Sequence, residues 1–288
     1  MRNTSALTMD VVADVAEATM PSVGYLLAGE SSTGSCWAFD EKMLVTSAHV
    51  VEDIGFAECQ VRIGGRLVVG KVTGMDHRTD IAVLKVSEKF SPLKIQELVR
   101  IGETCISVGS PLGYVNSVTL GIVSAIGRSL ELDDQSVLED LLQTDAAINP
   151  GSSGGPVLNL RGEVIGVSTR SHQSAQGMHY AVSAKTIRFV TDILRKSKTV
   201  VYAKIGALLA EDMDKSGTVR VKVVRPNRES SPLRIRDEIV AIEKRPIVKR
   251  VDVLLAMAEF GNAKDIRVDV VREGVAKTLK IRNLREED

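Results

Sequence analysis

Residues 143–156 read Gln143-Thr144-Asp145-Ala146-Ala147-Ile148-Asn149-Pro150-Gly151-Ser152-Ser153-Gly154-Gly155-Pro156, and the apolar run Val157-Leu158-Asn159-Leu160 follows. A serine set in a tight turn projects its hydroxyl, and the backbone N–H groups of such a turn can converge on a developing negative oxygen. Glycine at 151, 154 and 155 lets the chain bend and lets another backbone approach closely. Gly-Ser-Ser-Gly-Gly alone also reads as a flexible loop. Two upstream segments bear on that choice.

In Leu44-Val45-Thr46-Ser47-Ala48-His49-Val50-Val51, an apolar strand ends in small residues and then a histidine. Histidine is the commonest general base, because its ordinary pKa of about 6.5 lies near neutral pH. In Asp76-His77-Arg78-Thr79-Asp80-Ile81-Ala82-Val83-Leu84-Lys85-Val86, Asp80 precedes a run of β-formers. Each also has a plain reading, a satisfied histidine at a strand end and an aspartate that caps a turn. Together they give the chain order His49, Asp80, Ser153. Gly151 to Gly155 also fits a G-x-S-x-G nucleophile elbow, but there the serine comes first and a helix follows it. Here strand patterns follow Ser153, at 157–160 and 164–168. The order and the strands favour a mainly β, chymotrypsin-like double six-stranded barrel.

With these residues in view, the chain resembles the HtrA (Deg, or Do-like) serine proteases. The likeness is carried by Thr46–Val51, Arg78–Leu84, Ser117–Ala125 and Gln143–Pro156. It implies an ATP-independent serine endopeptidase acting on misfolded or damaged proteins, with Ser153 as nucleophile, His49 as general base and Asp80 as its orienting partner. It implies an oxyanion hole from the backbone of Gly151 and Ser153, with Ser152 between them. Ser152 is a departure, since the family usually has Asn there. By the same resemblance, Ile148 and Met178 would fall in loops lining the primary pocket, whose apolar character would favour small or medium aliphatic side chains. The segment 127–142 holds a loop that relays regulatory contacts in the family. The resemblance also implies a homotrimer, although the aromatic residues that often build one are absent from the first 24 positions. The alternative is a resting or inactive protease-fold chaperone or peptide-binding module.

The rest of the chain sets bounds. Its 288 residues, 44% of them hydrophobic, leave room for about two domains. The formal net charge is zero, so no general attraction to nucleic acid is expected. Lys244, Arg245, Lys249 and Arg250 read as a solvated basic face. Cys36, Cys59 and Cys105 are too few for a disulfide framework and stand in no metal-ligand spacing, so neither cofactor nor metal is expected. No stretch suits a membrane span or a signal peptide, and the expectation is a soluble protein, cytosolic or lacking its targeting segment.

The expected domains are a protease domain over 1–198, opened by a helix near 9–19 and closed by a helix from Ser183 to Lys196, and a smaller α+β unit over 199–288. The second unit resembles a PDZ domain, which binds extended C-terminal peptides. Ile205, Gly206 and Ala207 stand where the carboxylate-binding loop lies. A helix at about 250–259 would wall the groove. The family's Gly-Leu-x-Pro-Gly-Asp turn is replaced by Pro232-Leu233-Arg234-Ile235-Arg236-Asp237, which puts its geometry in doubt.

Overall fold

The computed structural model describes residues 4–28, 31–55, 57–110, 117–132, 136–171, 175–213, 216–227 and 231–283. The chain divides into two compact units, residues 1–199 and 200–288. The first opens with α1 (Thr4–Thr19), longer at its start than the sequence suggested, and a 3-10 turn at Met20–Ser22 that contains Pro21.

Six strands then close a barrel: β1 (Val23–Ala28), β2 (Ser31–Asp40), β3 (Met43–Ser47), β4 (Glu58–Ile63), β5 (Arg66–Asp76) and β6 (Ile81–Lys85), in the order β1-β2-β3-β6-β5-β4. Alternation in β4 sends Cys59, Val61 and Ile63 inward. They pack on Leu26, Cys36, Leu44 and Leu84, and on Val50, Val51 and Ile54 of the short helix α2 (Ala48–Ile54).

A second barrel comprises β7 (Thr104–Gly109), β8 (Ser117–Glu131), β9 (Val137–Thr144), β10 (Pro156–Asn159), β11 (Val164–Ser171) and β12 (His179–Ser183), ordered β10-β11-β12-β9-β8-β7. Cys105, Val123, Leu142, Val157, Ile165 and Ala181 lie in its core. Helix α3 (Ala184–Leu194) follows. Ser183 caps it, accepting a hydrogen bond from the Thr186 amide.

The sequence did not reveal β9, because its buried positions, Leu138, Leu141, Leu142 and Thr144, do not alternate strictly. Asp140 breaks the period by taking a left-handed φ of 58°. Its carboxylate accepts hydrogen bonds from the hydroxyls of Ser183 and Thr186 at the start of α3. Together β8 and β9 reduce the expected loop over 127–142 to residues 132–136, of which 133–135 lie outside the described residues.

Between the barrels the chain crosses from Val86 to Glu103 with almost no regular structure, yet it is tied at both ends. The amides of Phe90 and Leu93 donate to the carbonyls of Glu41 and Ala38 in the first barrel, at 2.8 and 2.9 Å. The Lys94 carbonyl then accepts from Val164 N at 2.7 Å, and Gln96 N returns a bond to Val164 O at 2.9 Å in the second barrel.

The second unit holds β13 (Ala207–Met213), β14 (Val219–Pro226), β15 (Glu238–Ile242), β16 (Arg245–Pro246), α4 (Arg250–Glu259), β17 (Asp265–Arg272) and β18 (Val275–Arg282). The sheet order is β13-β14-β15-β17-β18, with β16 beside β15, so β13 ends the sheet. The doubtful turn at 232–237 forms without glycine. Arg236 adopts the left-handed conformation, with φ 70°. The buried Asp237 carboxylate accepts from Arg234 N at 2.7 Å and from Arg272 Nε and Nη2 at 2.7 Å each. Such a paired, charge-assisted arrangement offsets the cost of a side chain in left-handed backbone, about 1–2 kcal/mol.

Candidate active site

Three segments meet where the barrels join. His49 lies in the first turn of α2, immediately beyond β3, and not at a strand end as its sequence context suggested. Its Nδ1 is 2.9 Å from both carboxylate oxygens of Asp80, and its backbone amide donates to Asp80 Oδ1 at 3.0 Å. Asp80 holds a left-handed φ of 56° just before β6, and its carbonyl accepts the Ala48 amide at 3.1 Å. From the second barrel, Thr169 Oγ1 donates to Asp80 Oδ2 at 2.5 Å. Burial pushes the Asp80 carboxyl upward in pKa, but the hydrogen bond and charge of His49, then the Thr169 hydroxyl, outweigh it and hold the group below the usual carboxylate range. An ionised Asp80 fixes the proton on Nδ1 and leaves Nε2 as the acceptor of the neutral ring.

Ser153 sits in the turn between β9 and β10. Its carbonyl accepts the Ser35 amide at 2.7 Å across the barrel junction. Its hydroxyl donates to the Thr169 carbonyl at 3.1 Å, and no hydrogen bond joins it to His49 among the described residues. The next amide, Gly154 N, donates to Ser168 O at 2.8 Å. Glycine is obligatory at 154, where a Cβ would lie 2.2 Å from Ser35 O and φ is 85°. The Ser152 amide is used within the turn, donating to Asn149 O at 2.9 Å. Within residues 151–155, the amides of Ser152, Gly154 and Gly155 are thus engaged, and those of Gly151 and Ser153 make no hydrogen bond among the described residues.

Ile148 is buried and Met178 half-buried. The Ile148 carbonyl accepts the Ser171 hydroxyl at 2.7 Å, and Ser171 Oγ lies 2.9 Å from His179 Nδ1. The one Ser171 proton is thus directed to Ile148, which makes Nδ1 of His179 the donor in the second bond. Burial lowers the His179 pKa, with Asp145 partly opposing. This polar pair stands beside residues read as a purely apolar lining. Ser171 and His179 were missed because no motif contains them, and Thr169 and Ser35 were missed because a single hydroxyl in a strand carries no signal of its partner.

In the second unit, Ile205 is buried, Gly206 is left-handed with φ 67° and its carbonyl accepts Asn227 N at 2.8 Å, and Ala207 begins β13. Glu211 of β13 accepts the Arg250 amide at the start of α4 at 2.7 Å. No cluster of metal-ligating side chains occurs among the described residues, and none of their helices is long and apolar enough to cross a membrane.

Two six-stranded barrels with a histidine–aspartate pair on one and a serine in a glycine turn on the other define a chymotrypsin-like serine protease. A family model described as a trypsin-like peptidase domain matches residues 33–167. The putative serine protease HhoA of Synechocystis sp. is 32% identical over 83% of this chain and 67% of its own length. A probable periplasmic serine endoprotease, DegP-like, of Ectopseudomonas mendocina is 32% identical over 83% of this chain and 53% of its own length. The chain thus spans about half the length of that relative. The solved HtrA-type protease AlgW with tripeptide superposes with a TM-score of 0.77 at 27% identity, over 95% of this chain and 97% of that one. The chain belongs to the HtrA/DegP-like family of trypsin-like serine endoproteases.

Proposed function

We propose that this chain cleaves internal peptide bonds of unfolded or damaged proteins, without ATP, through Ser153, His49 and Asp80. The convergence of the fixed His49–Asp80 pair with the Ser153 turn carries the reading. In the reactive arrangement the Ser153 hydroxyl turns from the Thr169 carbonyl to His49 Nε2. Oγ attacks the substrate carbonyl carbon as its proton passes to Nε2, and the resulting oxyanion takes the amides of Gly151 and Ser153. The imidazolium then protonates the leaving amine as the peptide bond breaks. Water, deprotonated by the same nitrogen, releases the acyl group and restores Ser153. Asp80 stays ionised throughout and stabilises the imidazolium.

Ile148 and Met178 would line the primary pocket, with His179 and Ser171 at a polar margin. Residues 200–288 would serve as a PDZ domain. An extended peptide would add beside β13, against α4, with its carboxylate at the amides of the Ile205-Gly206-Ala207 segment. The position of β13 at the sheet end supports this. A homotrimer is the proposed assembly. The second reading, a resting enzyme or chaperone, is favoured by one observation: the Ser153 hydroxyl is engaged away from His49.

Fluorophosphonate labelling of wild type and Ser153→Ala, read by intact mass, tests the proposal. One adduct on wild type alone is expected. Silence of folded wild type, persisting with unfolded protein and C-terminal peptides present, would transfer the case to the binding-module reading.

A further inference from the structure

Ser35 is fully buried at the barrel junction, and nothing in its sequence context, Gly34-Ser35-Cys36, marked it. All its polar groups are spent on or beside the Ser153 turn. Its Oγ donates to the Gly151 carbonyl at 2.7 Å and accepts the Ser110 amide at 2.9 Å. Its amide donates to the Ser153 carbonyl at 2.7 Å, and its own carbonyl accepts the Thr46 hydroxyl at 2.7 Å. Thr46 is in β3 and Ser110 directly follows β7, so both barrels hold Ser35 in place.

The consequence lies in one peptide plane. The plane joining Gly151 to Ser152 has its carbonyl on Ser35 Oγ and its amide on Asn149 O, so both of its ends are fixed. Gly151 has φ 94°, in the region that favours glycine, and has no side chain to resist rotation. Without the Ser35 hydroxyl, that plane is held by the Asn149 carbonyl alone, and Gly151, whose own amide lies in the preceding Pro150–Gly151 peptide, loses one of the two bonds that fix it. That amide is one of the two within residues 151–155 that make no hydrogen bond among the described residues.

We infer that Ser35 is a positioning residue for the oxyanion hole: its hydroxyl pins the carbonyl of Gly151, and with it the residue whose own amide, on the preceding Pro150–Gly151 peptide, points at the transition-state oxygen. The inference rests on the reading of Ser153 as nucleophile. It separates Ser35 from a merely structural buried serine, because an aimed amide matters to the transition state far more than to bound substrate.

The test is Ser35→Ala in the full chain, against a fluorogenic peptide and a fluorophosphonate. Loss of one oxyanion donor costs about 10²–10³ in rate, and loss of its aim is expected to cost about 10–100-fold in kcat. KM should stay within about twofold, because ground-state contacts are untouched. The acid limb of the pH–rate profile should not move, since His49 and Asp80 make no bond to Ser35. Labelling should slow by the same factor as kcat yet still reach one adduct per chain. Ser35→Cys, of similar size with a weak donor, should recover part of the rate.

Labelling of Ser35→Ala at the wild-type rate overturns the inference. So does a reduced end-point in which the surviving sites react at the wild-type rate, the mark of a structural role. If Ser35→Ala does not fold, Ser35→Cys decides: several-fold slower labelling to a full end-point upholds the inference, and the wild-type rate refutes it. A wild type that takes no label removes the reading of Ser153 instead, independently of any variant.

Discussion

The two barrels contribute unequal halves to the site. On the first, Asp80 receives the amide and ring of His49 and, from across the junction, the Thr169 hydroxyl, so its position is over-determined. On the second, the Ser153 hydroxyl is bonded to a backbone carbonyl instead of its proton acceptor, and two amides of its turn are uncommitted. The base is built to stand still, while the nucleophile and its anion site have bonds still to make. Control of such a site belongs on the second-barrel side, where moving one side-chain torsion and one peptide plane changes the chemistry.

Substitutions can break or sharpen that contrast. Ser153→Ala is expected to lower peptide hydrolysis by about 10⁶, with the double variant His49→Ala/Ser153→Ala no worse, because groups acting as a unit are not additive. Initial rates on a fluorogenic peptide check both, and additive losses would mean the halves act separately. Next in size, Asp80→Asn should cost about 10⁴ in kcat near neutral pH, because the amide cannot hold the Nδ1–H tautomer. Its fluorophosphonate labelling should slow in proportion.

Thr169→Val should have a smaller effect, with a defined sign in pH. Asp80 is held below its unfolded pKa of about 3.9, so its contribution to stability is full above that value and is lost as pH falls through the folded pKa. Removing the Thr169 donor narrows the gap and moves the acid-unfolding midpoint, followed by circular dichroism, to higher pH. A midpoint that does not rise would show that His49 alone sets the Asp80 titration. The smallest change is expected from Ser152→Asn, which restores the family's usual residue. The Ser152 side chain makes no hydrogen bond among the described residues, so kcat/KM should stay within about threefold, or less than 1 kcal/mol. A large gain would mean the second-barrel turn is braced through that side chain after all.

The same asymmetry governed what could be read from the chain. His49, Asp80 and Ser153 stood out because each sits in a local pattern whose chemistry needs that residue type. The barrel strands were visible where burial alternates, as in β4. Strand β9 was not, because Asp140 shifts the inward face partway along. Thr169 and Ser35 act only across the junction, 89 and 116 positions from Asp80 and Gly151, the groups they hold. A hydroxyl acquires such a role from the fold, and no spacing rule reaches that far. In the second unit, the missing glycine at 236 suggested a disturbed turn. The compensating Arg272 lies 35 positions from Asp237, beyond any local reading.

The segment that carries the chain from one barrel to the other behaves as a suture. Its stitches at Phe90 and Leu93 enter the first barrel, and those at Lys94 and Gln96 enter the second. With Leu93 and Lys94 adjacent, no slack separates the two sets, so a tug on either barrel is passed directly to the other. A cut at that one peptide bond would leave each end still sewn to its own half.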